Sequence, residues 1–345
     1  MTKRHLLGYI LSITPPSVAR AFRHLFRGRY LTVLCYHRIM DIDAAFPYDS
    51  DLVSASTSQF RAQLEYISSN YNVINFRYLM DYLRRENGRF PENSLIITFD
   101  DGYIDNYTVA YPMLREHGLT ATMFVTAGFV GSSHVFWWDK IAYIIKKTER
   151  DSIDIKSPVN ISMDIREFSS RQDCARKLIK KVKEIPDSGK ESVIDQLSDQ
   201  LGVIPVKGKT GYVMSWDQLK EMSEDGIEIG AHSVNHPIFS NIPEERVRKE
   251  VRDSKELIEE NIGSEVVTFG SPGRGIMERR EREIFTRLLK EEVRESGYHF
   301  STMYRWGLVY ENSFDRYAME RIGIETHDGR SVFKAKLMFP EIITY

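Results

Sequence analysis

The chain has 345 residues, 42% of them hydrophobic and 28% charged, with a net charge of −2. That is ordinary for a globular protein with a sizeable core, and it excludes the strongly basic balance of a nucleic-acid binder. Two cysteines, Cys35 and Cys174, exclude a disulfide framework and a CxxC metal site. The charge is unevenly placed. No acid precedes Asp41, and the first 40 residues carry Lys3, Arg4, Arg20, Arg23, Arg27, Arg29 and Arg38, so the rest of the chain sums to −9. With Leu6, Leu7, Tyr9, Ile10, Leu11, Phe22, Leu25 and Phe26 interleaved, residues 1–30 suit peripheral contact with an anionic membrane surface, or a solvated basic helix. A signal peptide is a third reading, weakened by the lack of a small-x-small cleavage site. No stretch is long enough to span a bilayer. The expected location is cytoplasmic or peripheral on a membrane surface.

In chain order, Leu31–Tyr36 reads as a buried strand, and Phe60, Leu64 and Ile67 mark a helix face before a short strand at Tyr71–Ile74. Leu95–Phe99 is a strand, Tyr107–His117 a helix stopped by Gly118, and Ala121–Val125 a strand. Residues 151–212 break the rhythm and read as an insertion carrying helices at Arg171–Ile185 and Glu191–Leu201. Beyond it come a helix at Trp216–Ser223, a strand at Ile227–Ala231 and a helix along Val247, Val251, Ile258 and Ile262. A strand at Val266–Phe269, a helix at Ile284–Glu295 and a strand at Phe300–Met303 follow. Such alternation implies parallel pairing in an α/β sheet or barrel, where ligands gather at the carboxyl ends of the strands.

The chemistry-bearing motifs fall just after predicted strands. Asp100 and Asp101 end Leu95–Phe99, and Gly102 permits a tight turn that brings both carboxylates to one pocket. Two adjacent carboxylates repel unless a cation or proton intervenes, although Asp and Gly also make ordinary turns. His232 and His236 follow Ile227–Ala231 in HSVNHP, where Pro237 disfavours a helix and favours a curled loop. Two histidines and a carboxylate with one position open make a catalytic zinc set. GSPGRG, residues 270–275, allows close backbone approach and offers Arg274. CYHRI places His37 at the end of the first strand, a general acid or base candidate. FWWDK offers Trp137 and Trp138 as a sugar platform or as core anchors, and helical geometry sends them different ways, so at most one is expected at the site.

Taken together, TFDDGY (Thr98–Tyr103) and HSVNH (His232–His236) resemble the polysaccharide deacetylase family of carbohydrate esterases, over roughly Leu31 to Leu337. The resemblance implies a distorted (β/α)7 barrel over residues 31–345, with 151–212 as a helical insertion. It implies that Asp101, His232 and His236 hold a divalent metal, usually zinc, and that Asp100 is the general base. The backbone amide near Tyr103 would help hold the oxyanion, and a histidine would protonate the leaving sugar amine. The implied partner is an N-acetylated glycan or a lipid-linked sugar.

The chain departs from the family pattern twice. The arginine of the usual Arg-x-Pro-x-Gly motif is replaced by Gly270, leaving Arg274, Arg38 or Arg321 to steady the base. The usual C-terminal Leu-x-His motif is missing. YHRI is similar to the N-terminal strand of circularly permuted members, which makes His37 the expected general acid. Hydrolysis of another C–N bond, or an inactive carbohydrate-binding protein, are the alternatives.

Overall fold

A computed structural model describes residues 3–205, 211–273 and 279–343. Seven strands close into a barrel: β1 (Tyr30–Tyr36), β2 (Ser94–Phe99), β3 (Thr122–Val125), β4 (Glu228–Ala231), β5 (Thr268–Gly270), β6 (Phe300–Trp306) and β7 (Met319–Gly323). Every pairing is parallel, in the circular order β1-β7-β6-β5-β4-β3-β2-β1. β1 and β2 are continuous runs of apolar and β-branched residues because both faces are covered, lumen on one side and helices on the other.

The helices that bear on the barrel are α1 (Lys3–Ser12), α2 (Pro16–Arg27), α3 (Thr57–Asn70), α4 (Phe76–Arg85), α5 (Tyr111–Glu116) and α6 (Trp137–Lys147). After them come α7 (Arg171–Val182), α8 (Lys190–Leu201), α9 (Trp216–Glu224), α10 (Glu244–Ile262), α11 (Arg279–Glu295) and α12 (Arg330–Met338). Local chemistry sets their ends. Ser56 with Gln59, and Ser215 with Gln218, form capping boxes on α3 and α9, and Gly263 ends α10 in the left-handed region.

Strand alternation sorts the core into layers. Leu34, Tyr36, Leu95, Ile97, Phe99, Met123 and Val125 face outward onto the helices. Leu31, Val33, Ile96, Phe124 and Phe300 belong to the lumen cluster, together with Phe76, Leu79, Met80 and Leu83 of α4, which plugs the amino end of the barrel. Phe76 lies 6.2 Å from Phe124 and 5.7 Å from Phe300, ring to ring. The lumen is therefore a packed interior, and chemistry is confined to its carboxyl end.

Three elements differ from expectation. Tyr107–His117 is not one helix: Asn106–Ala110 is a wide π-type turn that leads into α5. Pro112 lacks the N–H that an α-helix would donate back to Thr108, and the wider turn accommodates this. The 151–212 region carries α7 and α8 where helices were expected, but also an antiparallel hairpin, Ser152–Ile155 with Ile161–Asp164. These elements share a second core with α6. Finally, β7 was not anticipated at all. The charges at Glu320 and Arg321 interrupt its apolar run.

Glu228, at the amino end of β4, is buried and accepts hydrogen bonds from the Arg77 N–H and the Thr122 hydroxyl. Burial pushes its carboxyl up to about 7, against the pull of those donors. Between about 4.3, its unfolded value, and about 7 the folded chain holds a proton that the unfolded chain has lost. Stability therefore falls as pH rises through that window. Glu228→Gln removes this dependence. Relative to the parent, the variant should gain about 3 kcal/mol between pH 4 and pH 8 in urea unfolding, and parallel curves for the two proteins would contradict the assignment.

Candidate active site

The inward face of β2 runs Ile96, Thr98, Asp100, so Asp100 enters the lumen by simple alternation. Asp101 should then point outward. It does not, because its backbone takes φ +77° and Gly102 follows at φ +86°, curling the second carboxylate back over the barrel mouth. A side chain at 102 would be strained at that φ and would press on Val125 at 3.3 Å.

The HSVNHP segment curls in the same way. Ser233 has φ +65° and His236 φ +49°. Left-handed backbone at non-glycine residues costs about 1–2 kcal/mol each, and the surroundings hold it in place. Buried Glu250 of α10 accepts the N–H groups of Val234 (2.9 Å) and Asn235 (2.8 Å) and the Asn235 side-chain amide (3.0 Å). The Ser233 hydroxyl accepts the His236 N–H at 3.0 Å.

As a result, Asp101, His232 and His236 each bring one ligand atom to within 4.8 Å of the others. Asp101 Oδ1 lies 3.2 Å from His236 Nε2 and 3.6 Å from His232 Nε2. The donor set fits a divalent metal. His232 Nδ1 contacts the Gly270 carbonyl at 2.7 Å, which places the ring proton there and leaves the Nε2 lone pair facing Asp101. Burial pushes His232 down to about 4 despite the attraction of Asp100, keeping it neutral. Burial raises the Asp101 carboxyl, but His236 outweighs it and holds the group below the usual carboxylate range.

Asp100 has a different neighbour. Arg321 of β7 clamps it with two hydrogen bonds, Nη1 to Oδ1 at 2.7 Å and Nη2 to Oδ2 at 2.8 Å, both partners buried. Burial alone would raise the Asp100 carboxyl; the guanidinium reverses that and holds it well below the usual range. Cys35 Sγ sits 3.5 Å from Oδ2. Burial raises this thiol well above its ordinary pKa, so it stays protonated. A His37 ring nitrogen lies within 4.8 Å of the same carboxylate and thiol.

Of the arginines considered for Asp100, Arg321 is therefore the one in place. Arg38 instead pairs with Asp105 (Nε to Oδ1, 2.9 Å) and lies over the Tyr103 ring at 4.3 Å, bracing the loop after β2. Arg274 lies outside the described residues. The glycine at 270 has a packing reason: a Cβ there would meet the Phe124 ring at 2.7 Å. An arginine at 270 is incompatible with a lumen already filled by Phe124, and the guanidinium arrives from β7 instead.

One further expectation needs correction. Both Trp137 and Trp138 line the cavity, not one at most, because they open α6 where its first turn abuts the mouth. Trp138 also anchors the wall. It stacks on Phe136 at 4.6 Å, donates Nε1–H to the Tyr103 hydroxyl at 2.9 Å, and its ring lies 4.8 Å from His236. The Tyr103 side chain is buried away from the cavity and donates to Asp139 at 3.0 Å. Its backbone pairs with Val213 through the Gly102 carbonyl and the Ile104 N–H, so the Tyr103 N–H is not used in that pairing.

The cavity measures about 230 Å³ and is lined on one side by Trp138, Ile179 and Lys183 and elsewhere by Ser271, Trp306, Ile324 and Glu325. The contributions of α7, β6 and Glu250 carried no motif. Only the strand-end position of Ser271 hinted at its place.

Arg321→Met leaves Asp100 buried without its partner and should cost about 3–5 kcal/mol in urea unfolding at pH 7. The depressed folded pKa makes this contribution present above about pH 4 and lost as pH falls below it. Asp100→Asn combined with Arg321→Met should recover most of the loss. A double variant as unstable as the single would show that the pair is not the cause.

Residues 87–288, more than half of the chain, match the family model for polysaccharide deacetylase. The poly-beta-1,6-N-acetyl-D-glucosamine N-deacetylase of Staphylococcus aureus is 34% identical over 90 residues, 26% of this chain and 30% of that protein. The match thus spans about a third of such relatives. Among solved structures, Streptococcus pyogenes deacetylase PplD in complex with acetate superposes with TM-score 0.52 at 19% identity, covering 87% of this chain and 94% of that one. IcaB from Ammonifex degensii gives 0.54 at 18%, covering 89% and 97%. These likenesses agree with the closed seven-stranded barrel, and the chain belongs to the polysaccharide deacetylase family.

Proposed function

We propose that the chain is a metal-dependent N-deacetylase acting on an N-acetylated sugar of a surface polysaccharide or of its lipid-linked precursor. One observation carries the reading: a carboxylate oxygen and two imidazole nitrogens converge beside a separate carboxylate that an arginine keeps ionised. Asp101, His232 and His236 would hold the ion, and an N2O set with room for further ligands suits zinc. When bound, the ion supplies Lewis acidity, polarising the acetamide carbonyl and making water easier to deprotonate.

The remaining steps belong to the chain. Asp100 accepts a proton from the attacking water; Arg321 occupies one direction on each of its oxygens and fixes the carboxylate plane. The Tyr103 N–H is a donor for the oxyanion. His37, with a ring nitrogen within 4.8 Å of Asp100, protonates the departing sugar amine. The C–N bond breaks, and acetate and a free amino sugar leave. Trp138 walls the acetamide side and excludes water.

Metal analysis of the purified chain, paired with acetate release from N-acetylglucosamine oligomers, tests this. One ion per chain is expected. Asp100→Asn should keep the ion and lose at least about a hundredfold in turnover, the lower range for a general base. His236→Ala should lose the ion. His37→Ala should lower turnover without changing metal content. A chain that takes up no metal after zinc is supplied would sink the proposal, and release of formate in place of acetate would reassign the acyl group.

A further inference from the structure

The exposed large hydrophobic side chains are concentrated in one stretch of the chain. Of the twelve among the described residues, Leu6, Leu7, Tyr9, Ile10, Ile13, Val18 and Leu25 lie in the first 25 positions. Helical geometry shows why they are not simply frayed core. On α1, Gly8, Leu11 and Ser12 fall on one side, and that side packs on α12. Gly8 is so close that a Cβ there would meet Val332 Cγ2 at 2.9 Å, and Leu11 joins Val332, Ala335 and Ile343. Leu6, Tyr9 and Ile10, at i, i+3 and i+4, occupy the opposite side, and exposed Ile13 follows directly after the helix. From Leu6 to Leu11 the helix is apolar on both sides, and only the side on α12 is covered. Val18 and Leu25, seven residues apart, extend exposed apolar surface along one face of α2.

Charge selects what covers this face. Arg23, Arg29 and Arg38 are paired within the fold, with Glu341, Glu92 and Asp105. Lys3, Arg4, Arg20 and Arg27 have no acid near them in sequence, since none precedes Asp41. A second copy docked through the same face would bring two such basic segments together. An anionic lipid surface satisfies both features: acyl chains take the apolar side chains and headgroups attract the basic ones.

We propose that α1 and α2 form an interfacial docking element that seats the barrel on a membrane leaflet rich in anionic headgroups. The helices lie in the interface. They do not span it, and no helix among the described residues is long and apolar enough to cross a membrane. Docking is separate from the deacetylase reading and is measured without turnover.

The test is co-sedimentation of the full chain with vesicles of phosphatidylglycerol and phosphatidylcholine, against phosphatidylcholine alone. Binding is expected to the anionic vesicles only, and to weaken with added salt. Lys3→Gln and Arg4→Gln should each weaken it about fivefold. Leu6→Ser combined with Ile10→Ser and Ile13→Ser should abolish it, and Leu25→Ser alone should reduce it, with unfolding midpoints unchanged because these side chains are already exposed. Equal binding to both vesicle types, or none to either, overturns the proposal. So does a concentration-dependent dimer that the triple variant dissolves, which would assign the face to a second copy.

Discussion

The buried pair between Asp100 and Arg321 governs the carboxyl end of the barrel. Taking two charges out of water is costly, and a well-packed apolar pair is often at least as stable. The pair persists here with full bidentate geometry and almost no exposure. It links β2 to β7, the two strands that flank β1, so the same contact that settles the charge of Asp100 also bridges the barrel mouth across β1. It also separates the roles of two adjacent carboxylates. Asp100, saturated by a guanidinium, is a poor ligand and a fixed acceptor. Asp101, facing two imidazoles, is the reverse.

Around that pair the backbone, more than the side chains, sets the donor geometry. Five non-glycine residues of the described chain have positive φ, and Asp101, Ser233 and His236 are three of them. Strain of this kind survives only where neighbours over-determine it. Glu250, the Ser233 hydroxyl and the Phe124-filled lumen beneath Gly230 and Gly270 are those neighbours. Arg38 and Asp105 brace the loop that follows Asp101. The helices of the 151–212 region lend Ile179 and Lys183 to the cavity wall, which places a surface feature within reach of substrate.

Much of this was legible in the chain itself. The alternating elements implied a parallel barrel, and the strand-end rule pointed to Asp100, Asp101, His232, His236 and His37. Arg321 was harder to see. A strand that carries a charge into a lumen does not read as a buried strand, because the partner neutralising that charge lies more than 200 positions away. The same blindness applies to Glu250, a helix residue whose task is to hold a distant loop. The hairpin in the 151–212 region is short and half exposed, with alternate residues buried on each strand, and offers too few periods to register. Trp137 and Trp138 were misjudged because helical spacing separates side chains by direction, whereas the first turn of a helix abutting a cavity presents both.

Two strands far apart in the sequence meet in the barrel. The stretch that carries the family likeness, residues 87–288, contains β2, β3, β4 and β5 with Asp100, Asp101, His232 and His236. Alone it would be an open four-strand arc with two bare edges. β1 with His37 and β7 with Arg321 lie almost 290 positions apart in sequence, yet they are hydrogen-bonded neighbours that, with β6, close the arc. The recognisable unit is thus smaller than the cooperative one. The central segment alone carries Asp100, Asp101, His232 and His236 without Arg321, so by itself it would leave Asp100 without the guanidinium that pairs with it.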